Sequence, residues 1–468
     1  MINHQKLVSL AMTHKHHEQI RSHLFPGDGC EAVAIALCGR SRNKTRNALL
    51  VQEVHTIPYE ACRIREPDRV TWCTESIIPV LEKAMNNGLC IIKFHSHPGG
   101  YRNFSHIDDK SDTDLFASIY GWLDTDEPLA SLIMLPDGEL IGRSIWPGML
   151  GGELHTIRVV GDDIKYWFSE QTKPEIPEHA IRIIQAFGNG TYSLLRRLRV
   201  GVVGCSGTGS IIIEQLARNH VGQLIIVDPE PVEHRNLNRI LNSAWKDAEE
   251  RNSKVAVLKA AIEKMKLETV VHAHESDLMS REVIGELSQC DVIFGCMDSV
   301  DGRHILNKVA SYYLIPYIDM GVRIDADGKG GIDSINGAVH YIQPNGSSLL
   351  SRGVYTQEGL DAAMMYRYAP ELYKERAKQG YIKGVRVDQP AVISVNMHIA
   401  SLAFNELLAR INPYRVEPNS KYAQRRIVIS DPEASVDLAD GESCKVFSRL
   451  TALGDQAPLL GIQDLAKC

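Results

Sequence analysis

The sequence predicts an α/β protein of two domains. Three observations carry that reading. Residues 198–239 form a glycine-punctuated strand–helix–strand run. Residues 89–97 form an apolar strand that leads straight into a His-x-His pair. The length, 468 residues, corresponds to about three domains or two large ones, enough to bury sizeable cores.

The run at 198–239 reads LRVGVVGCSGTGSIIIEQLARNHVGQLIIVDPEPVEHRNLNR. Val200 to Val203 is an apolar stretch suited to a buried parallel strand. Gly204, Gly207 and Gly209 follow it, and Ser210 is placed to cap an apolar helix beginning at Ile211. That order sets backbone N–H groups at a helix N-terminus, where phosphates bind. A second strand, Gln223 to Val227, ends at Asp228, an acidic residue about 20 positions on and placed for a ribose hydroxyl. A tight turn that binds nothing is the alternative. Asn236 and Arg239 lie just beyond and put an amide and a cation where hydride transfer needs neither. Cleavage of ATP at the α-phosphate does need cations for the developing charge.

At these residues the chain resembles the ThiF/MoeB-type adenylating family, which includes the ubiquitin-activating enzymes. The resemblance runs from about Arg182 to the Asn396 region. It departs from the family's glycine loop at Ser206, which stands where a glycine is expected. The resemblance implies a Rossmann-like fold and ATP as cosubstrate, with Gly204, Gly207, Gly209, Asp228, Asn236, Arg239 and Lys254 at the nucleotide. It places Asp298, after the strand Cys290–Cys296, on Mg²⁺, and Lys259 is the neighbour that could be confused with Lys254. Arg182, in the short helix IRIIQAFG at 181–188, falls where the family places an arginine that reaches the phosphates, often across a homodimer interface. A surface arginine is the alternative there.

Composition narrows the class. Apolar and charged fractions of 44% and 23% are those of an ordinary globular chain. Net charge is −7 without a basic stripe, so nucleic acid is not expected as a partner. No apolar run is long enough for a membrane span, and the first 30 residues lack a signal pattern. Ten cysteines without a Cys-x-x-Cys pair point to reduced thiols in a cytoplasmic protein.

In the first domain, residues 1–150, Ile2 to His23 has helical spacing, and His14, His16 and His17 read as surface histidines. Glu31 precedes an apolar strand, Ala32 to Cys38. Thr71 to Asn87 reads as an amphipathic helix stopped by Gly88. The strand Leu89 to Phe94 runs into His95-Ser96-His97-Pro98. Residues i and i+2 of a strand share a face, so His95 and His97 can converge on one metal. Asp108 supplies a carboxylate, which leaves a fourth position open, as in catalytic zinc sites. Ser105-x-x-Asp108 is also a capping box for a helix at 107–122, and both roles are compatible.

This set resembles the JAMM metalloprotease family over about Gly29 to Trp146. The resemblance implies Zn²⁺ on His95, His97 and Asp108, Ser105 beside the oxyanion, and Glu31 as general acid/base. It also implies cleavage after the C-terminal glycine of a ubiquitin-like protein.

Residues 151–180 read as a linker, 181–435 as the adenylation domain and 436–468 as a tail. Asp361 to Lys378 and Ala391 to Arg410 read as helices, and Arg425 to Ser430 as a last strand. Ser348-Leu349-Leu350-Ser351 stands where relatives carry a zinc-binding Cys-x-x-Cys, so no zinc is expected there. No cysteine lies between Cys296 and Cys444, which leaves Cys444 and Cys468 as late candidates for a thioester.

The pairing of modules resembles bacterial ubiquitin-like conjugation systems. It implies a Gly-ending ubiquitin-like protein and a conjugating enzyme as partners. Activation of a sulfur carrier for thiamin, molybdopterin or cysteine synthesis is the alternative, and a binding scaffold with inactive sites is a third.

Overall fold

The computed structural model describes residues 6–169, 176–379 and 390–465. The first unit runs to Lys173 and takes in Tyr312–Leu314 and Thr451–Ile462; the second holds Pro174–Ser311 and Ile315–Leu450.

The chain begins with a strand where the sequence predicts a helix. β1 (Leu7–Thr13) pairs in parallel with strands on both sides and buries Val8, Leu10 and Met12. Pairing on both edges outweighs the local helical spacing. Residues 2–5 of the expected helix lie outside the described residues. Thr13 then caps α1 (His14–Leu24), its hydroxyl accepting the His16 N–H at 3.3 Å. α1 leaves His14 exposed and turns His17 inward, fully buried; the expected surface role fails for His17.

Next come β2 (Val33–Arg42), β3 (Arg46–Thr56) and the hairpin β4 (Cys62–Glu66) with β5 (Arg69–Trp72). α2 (Ile78–Asn87) ends at Gly88, in the left-handed region at φ 63°. β6 (Cys90–Ser96) carries the first histidine, and α3 (His106–Leu123) the aspartate. β7 (Leu129–Met134), β8 (Leu140–Trp146), β9 (Met149–Glu153), β10 (Thr156–Val160) and β11 (Ile164–Phe168) complete the unit.

Nine strands make one sheet in the order β11-β10-β1-β3-β2-β6-β7-β8-β9. β2 and β6 are buried along almost their whole length, the pattern of strands covered on both faces. The linker reading of 151–180 needs correction, because β9, β10 and β11 are strands of this sheet. They are short, so their spacing alone does not mark them. The tail reading changes too. Gly454 bridges Arg40 in parallel, and the Asp455 N–H donates to the Arg40 carbonyl at 2.8 Å.

The second unit opens with α4 (Ile181–Leu195), interrupted at Gly188 where φ is 80°. β12 (Arg199–Val203) feeds α5 (Gly207–Arg218), and β13 (Gln223–Val227) follows. After α6 (Trp245–Glu249) and α7 (Lys254–Met265) come β14 (Val270–His274), α8 (Arg281–Leu287) and β15 (Val292–Gly295). α9 (Val300–Tyr312) leads to β16 (Tyr317–Ala326) and β17 (Ile332–Ile342). The single helix expected at 361–378 is two, α10 (Gln357–Tyr368) and α11 (Pro370–Lys378), because Pro370 cannot continue the first. α12 (Ile393–Ile411), β18 (Gln424–Val428) and β19 (Val436–Leu438) close the unit.

Its sheet runs β14-β13-β12-β15-β16-β17-β18-β19, parallel from β14 to β16 and antiparallel beyond. After β12 the chain steps outward through β13 and β14, then returns to the other side of β12 with β15. That reversal opens a crevice at the carboxyl ends of β12 and β15, where ligands of open α/β sheets bind. Among the described residues no helix is long and apolar enough to cross a membrane.

Candidate functional sites

In the second unit the glycine turn sits at that crevice. Gly204 has φ 91°, and a Cβ there would lie 2.6 Å from the Cys296 carbonyl oxygen at the end of β15. A Cβ on Gly209 would lie 1.8 Å from the Gly204 carbonyl oxygen. Only glycine allows either approach. α5 begins at Gly207, so Ser210 is inside the helix rather than its cap; its hydroxyl donates to the Gly207 carbonyl and accepts the Leu241 N–H at 3.1 Å. Ser206 takes the cap position and makes no side-chain cap bond. The first-turn N–H groups of α5 therefore face the crevice without intrahelical acceptors.

Asp228 closes the other side. Its carboxylate accepts the Cys205 N–H at 2.7 Å and the Glu230 N–H at 2.9 Å, which leaves lone pairs for a further donor. Burial pushes its carboxyl up, against Lys254 and the Cys205 amide. Lys254 is buried, bonds Glu230 at 2.7 Å and lies 3.7 Å from Asp228. Lys259, half-exposed, pairs with Glu263 instead. Arg239 reaches over the turn, its Cδ 3.2 Å from where a Gly207 Cβ would stand, and donates to the Arg235 carbonyl at 2.7 Å. Burial and Arg235 push its guanidinium pKa down, and Asp298 opposes them. Asp298 is exposed beyond β15, within electrostatic reach of Arg239 and Arg303. Asn236 is buried, with its side chain accepting the Glu233 N–H at 3.0 Å.

Two expected residues stand apart. Arg182 is exposed and donates to Gln185 on its own helix at 3.1 Å. Cys444 is buried. Burial pushes its thiol pKa up, but hydrogen bonds from Ser348, the backbone at Phe447 and Val446, and Ser351 outweigh burial. The thiol thus sits against the Ser348–Ser351 turn, away from the glycine turn in sequence and little exposed. Cys468 lies outside the described residues. Asn396 is a site residue that spacing missed: α12 brings its amide to 2.2 Å from a Gly207 Cβ position. Some 190 residues of sequence separate the two, so no local pattern could reveal the contact.

The first unit gathers its own cluster. β2 and β6 are antiparallel with Val33 opposite His95, and this register sets Glu31 beside His97, two residues on. His95 Nε2 lies 3.1 Å from His97 Nε2 and 3.1 Å from Asp108 Oδ1, and His97 Nε2 lies 3.5 Å from Asp108 Oδ2. Glu31 Oε1 is 3.9 Å from His97. His97 Nδ1–H donates to the Tyr101 carbonyl at 2.7 Å, so its Nε2 presents a lone pair. Ser105 donates to Asp108 Oδ2 from both N–H and hydroxyl at 2.7 Å, and the Asp108 N–H returns to Ser105 Oγ at 3.2 Å. The capping box is formed, and it leaves Oδ1 turned to His95.

Burial raises the Glu31 carboxyl to about 7, with His97 pulling the other way. Burial also opposes ionisation of Asp108, yet the His95 and His97 rings that face it hold its carboxyl far below the usual range. Beneath the cluster, Lys93 and Arg143 clamp buried Asp112 at 2.7 Å each, a network the spacing did not reveal. Asp112, one turn after Asp108 on α3, was the available hint. A pocket alongside is lined by Glu31, His95 and Asp108, and by Asp68, Arg69 and Trp72 of the hairpin.

These residues fit a metal. Ligands about 2.0–2.1 Å from a tetrahedral zinc stand roughly 3.3 Å from one another, and the three separations bracket that value. Converging lone pairs repel unless a cation lies between them.

The second unit is thus a Rossmann-like nucleotide-binding architecture. The chain belongs to the ThiF family, whose model matches residues 179–445. Among curated proteins it is similar to SUMO-activating enzyme subunit 2 of Dictyostelium discoideum, 26% identical over 31% of this chain and 22% of that protein. Ubiquitin-activating enzyme E1-like of Saccharomyces cerevisiae is 27% identical over 30% and 22%. Ubiquitin-like modifier-activating enzyme 5 of Drosophila sechellia is 21% identical over 52% and 61%. The chain therefore spans under a quarter of the first two relatives and about three-fifths of the third. Among solved structures, E. coli MccB with ATP aligns at TM-score 0.42 and 18% identity, over 58% of this chain and 74% of that one.

Proposed function

We propose that this protein acts on a ubiquitin-like carrier with a C-terminal glycine, at two sites. The second unit would activate the carrier's carboxylate with ATP. A carboxylate oxygen attacks the α-phosphorus, the bond from that phosphorus to the bridging oxygen breaks, and pyrophosphate leaves with the acyl-adenylate retained. Asp228 would accept a ribose hydroxyl, the α5 N-terminus, Arg239, Asn236 and Lys254 would face the nucleotide, and Asn396 packs against Gly207 of the turn. Asp298 would hold Mg²⁺, which supplies charge neutralisation at the phosphates. Arg182 would serve a second copy in a homodimer. The observation that carries this reading is the glycine turn pinned at the β12/β15 crevice beside Asp228, within a ThiF-family chain.

The first unit would cleave after the same glycine, trimming a precursor or releasing a conjugate. His95, His97 and Asp108 would hold zinc, whose Lewis acidity makes water a nucleophile near neutral pH. Glu31, raised to about 7 by burial, is matched to taking and returning a proton at its carboxylate in that range. The Ser105 hydroxyl, which donates to Asp108, would turn its hydrogen to the oxyanion as that charge develops. The test offers a Gly-ending carrier with ATP and reads AMP-linked carrier by mass spectrometry, with Asp298→Ala as control. A C-terminally extended carrier reports cleavage, which Glu31→Gln should abolish while zinc is kept. Absence of adenylate removes the first claim, and uncleaved extended carrier removes the second.

A second reading, activation of a sulfur carrier, draws on the burial of Cys444. If no thioester forms on this chain, the adenylate is attacked by an external nucleophile. Adding sulfide or a conjugating-enzyme thiol separates the two outcomes.

A further inference from the structure

A third cluster lies on α1, away from both sites. The ligand atoms of His14, His17 and Glu18 fall within 4.8 Å of one another. His17 is its pivot. Nε2 lies 2.8 Å from the Gly138 carbonyl oxygen. A carbonyl can only accept, so Nε2 carries the hydrogen and Nδ1 is left with a lone pair. That Nδ1 is buried and has no hydrogen-bond partner among the described residues. Glu18 Oε1, itself an acceptor, stands 3.4 Å away. The ring cannot easily turn from this arrangement: Trp167 stacks on it at 5.8 Å, and the Gly138 bond fixes its other edge.

A buried lone pair facing a carboxylate oxygen is unfavourable without a positive centre between them. The separation is what two ligands of a tetrahedral ion show when each is about 2.0–2.1 Å from it. His14, one turn before Glu18, supplies the third ligand atom. A metal-ligating histidine ordinarily gives its other ring N–H to a carbonyl, which is the role of Gly138 here. We propose that His14, His17 and Glu18 form a second divalent-cation site, suited to zinc or a similar late first-row ion. This site is independent of the peptidase reading.

His14 is exposed and Glu18 half-exposed, so an ion can enter from solvent and keep water in the remaining position. The positive end of α1 and the nearby Lys15 and Lys165 oppose a cation. Glu18 is the single carboxylate offsetting them. The site is therefore weaker than that of His95, His97 and Asp108, which sits beside two carboxylates. In the sequence these histidines look like surface residues, because nothing local shows that the turn at Gly138 and Trp167 of β11 flank the ring of His17.

The test is zinc titration of the full chain after chelator treatment, read by calorimetry and elemental analysis. The chain should bind two equivalents, one tight and one weaker. His14→Ala with Glu18→Gln should remove the weaker one and keep the tight one; both side chains reach solvent, so the core is undisturbed. Asp108→Ala should remove the tight one and keep the weaker. Unchanged zinc uptake by the His14→Ala/Glu18→Gln protein overturns the proposal, as does complete loss of zinc in Asp108→Ala. Two equivalents retained in Asp108→Ala would count against the peptidase site alone.

Discussion

Substituting Gly209 by alanine tests the adenylation reading most directly. Its Cβ would sit 1.8 Å from the Gly204 carbonyl oxygen, where unbonded carbon and oxygen need more than 3 Å. The turn cannot yield towards β15, because Gly204 is already close to the Cys296 carbonyl, 2.6 Å from its own Cβ position. Relief must come from moving the start of α5, and with it the phosphate-facing N–H groups, by about 1 Å. Misplacement of that size costs on the order of 100-fold in rate, or about 2.7 kcal/mol of barrier. ATP–pyrophosphate exchange with a Gly-ending carrier measures it, and nucleotide affinity should fall in parallel. Gly190→Ala, where an added Cβ meets nothing within 4 Å, is the control and should exchange normally. Exchange by Gly209→Ala within about threefold of the parent would refute the reasoning, because the turn would then not position the phosphates.

Three further outcomes follow from the same geometry. Asp112→Ala should destabilise the first unit by about 3–5 kcal/mol in urea unfolding, because Lys93 and Arg143 lose their buried partner; a loss below about 1 kcal/mol would mean that water replaces the carboxylate. His340 is buried across the ladder from Asp319, and burial with Arg352, Arg303 and Arg426 depresses its pKa to about 3. Unfolded chains take up that proton below about 6.5 while the folded one does not, so stability should fall by about 2 kcal/mol between pH 7 and 5. His340→Gln should flatten that slope, and an unchanged slope would show that the ring is protonated in the fold. Asp108→Ala should lose the tight zinc by elemental analysis, and full zinc in that variant would remove the metal site.

The glycine turn, Asp228, the His-x-His pair and the Ser105–Asp108 box all lie within short windows, where strand and helix periods fix which side chains share a face. Gly88 as a helix stop and Pro370 as a break are backbone effects carried by single residues. The misses came from pairing and burial. Ser210 reads as a cap because the apolar pattern begins at Ile211, four residues beyond the true start at Gly207, past glycines that are helical. Residues 7–13 looked helical because their partners, β3 and β10, are far away in sequence.

By itself, then, the sequence determined the α/β character of both units, the His-x-His spacing and the glycine turn, since each follows from a few adjacent residues and the stereochemistry of glycine. Tertiary structure alone decided that Glu31 stands beside His97, that Asn396 covers Gly207, that Lys254 is tied to Glu230, and that Cys444 and His17 are buried. Those facts depend on strand register and helix packing across tens to hundreds of residues, and no local period encodes them.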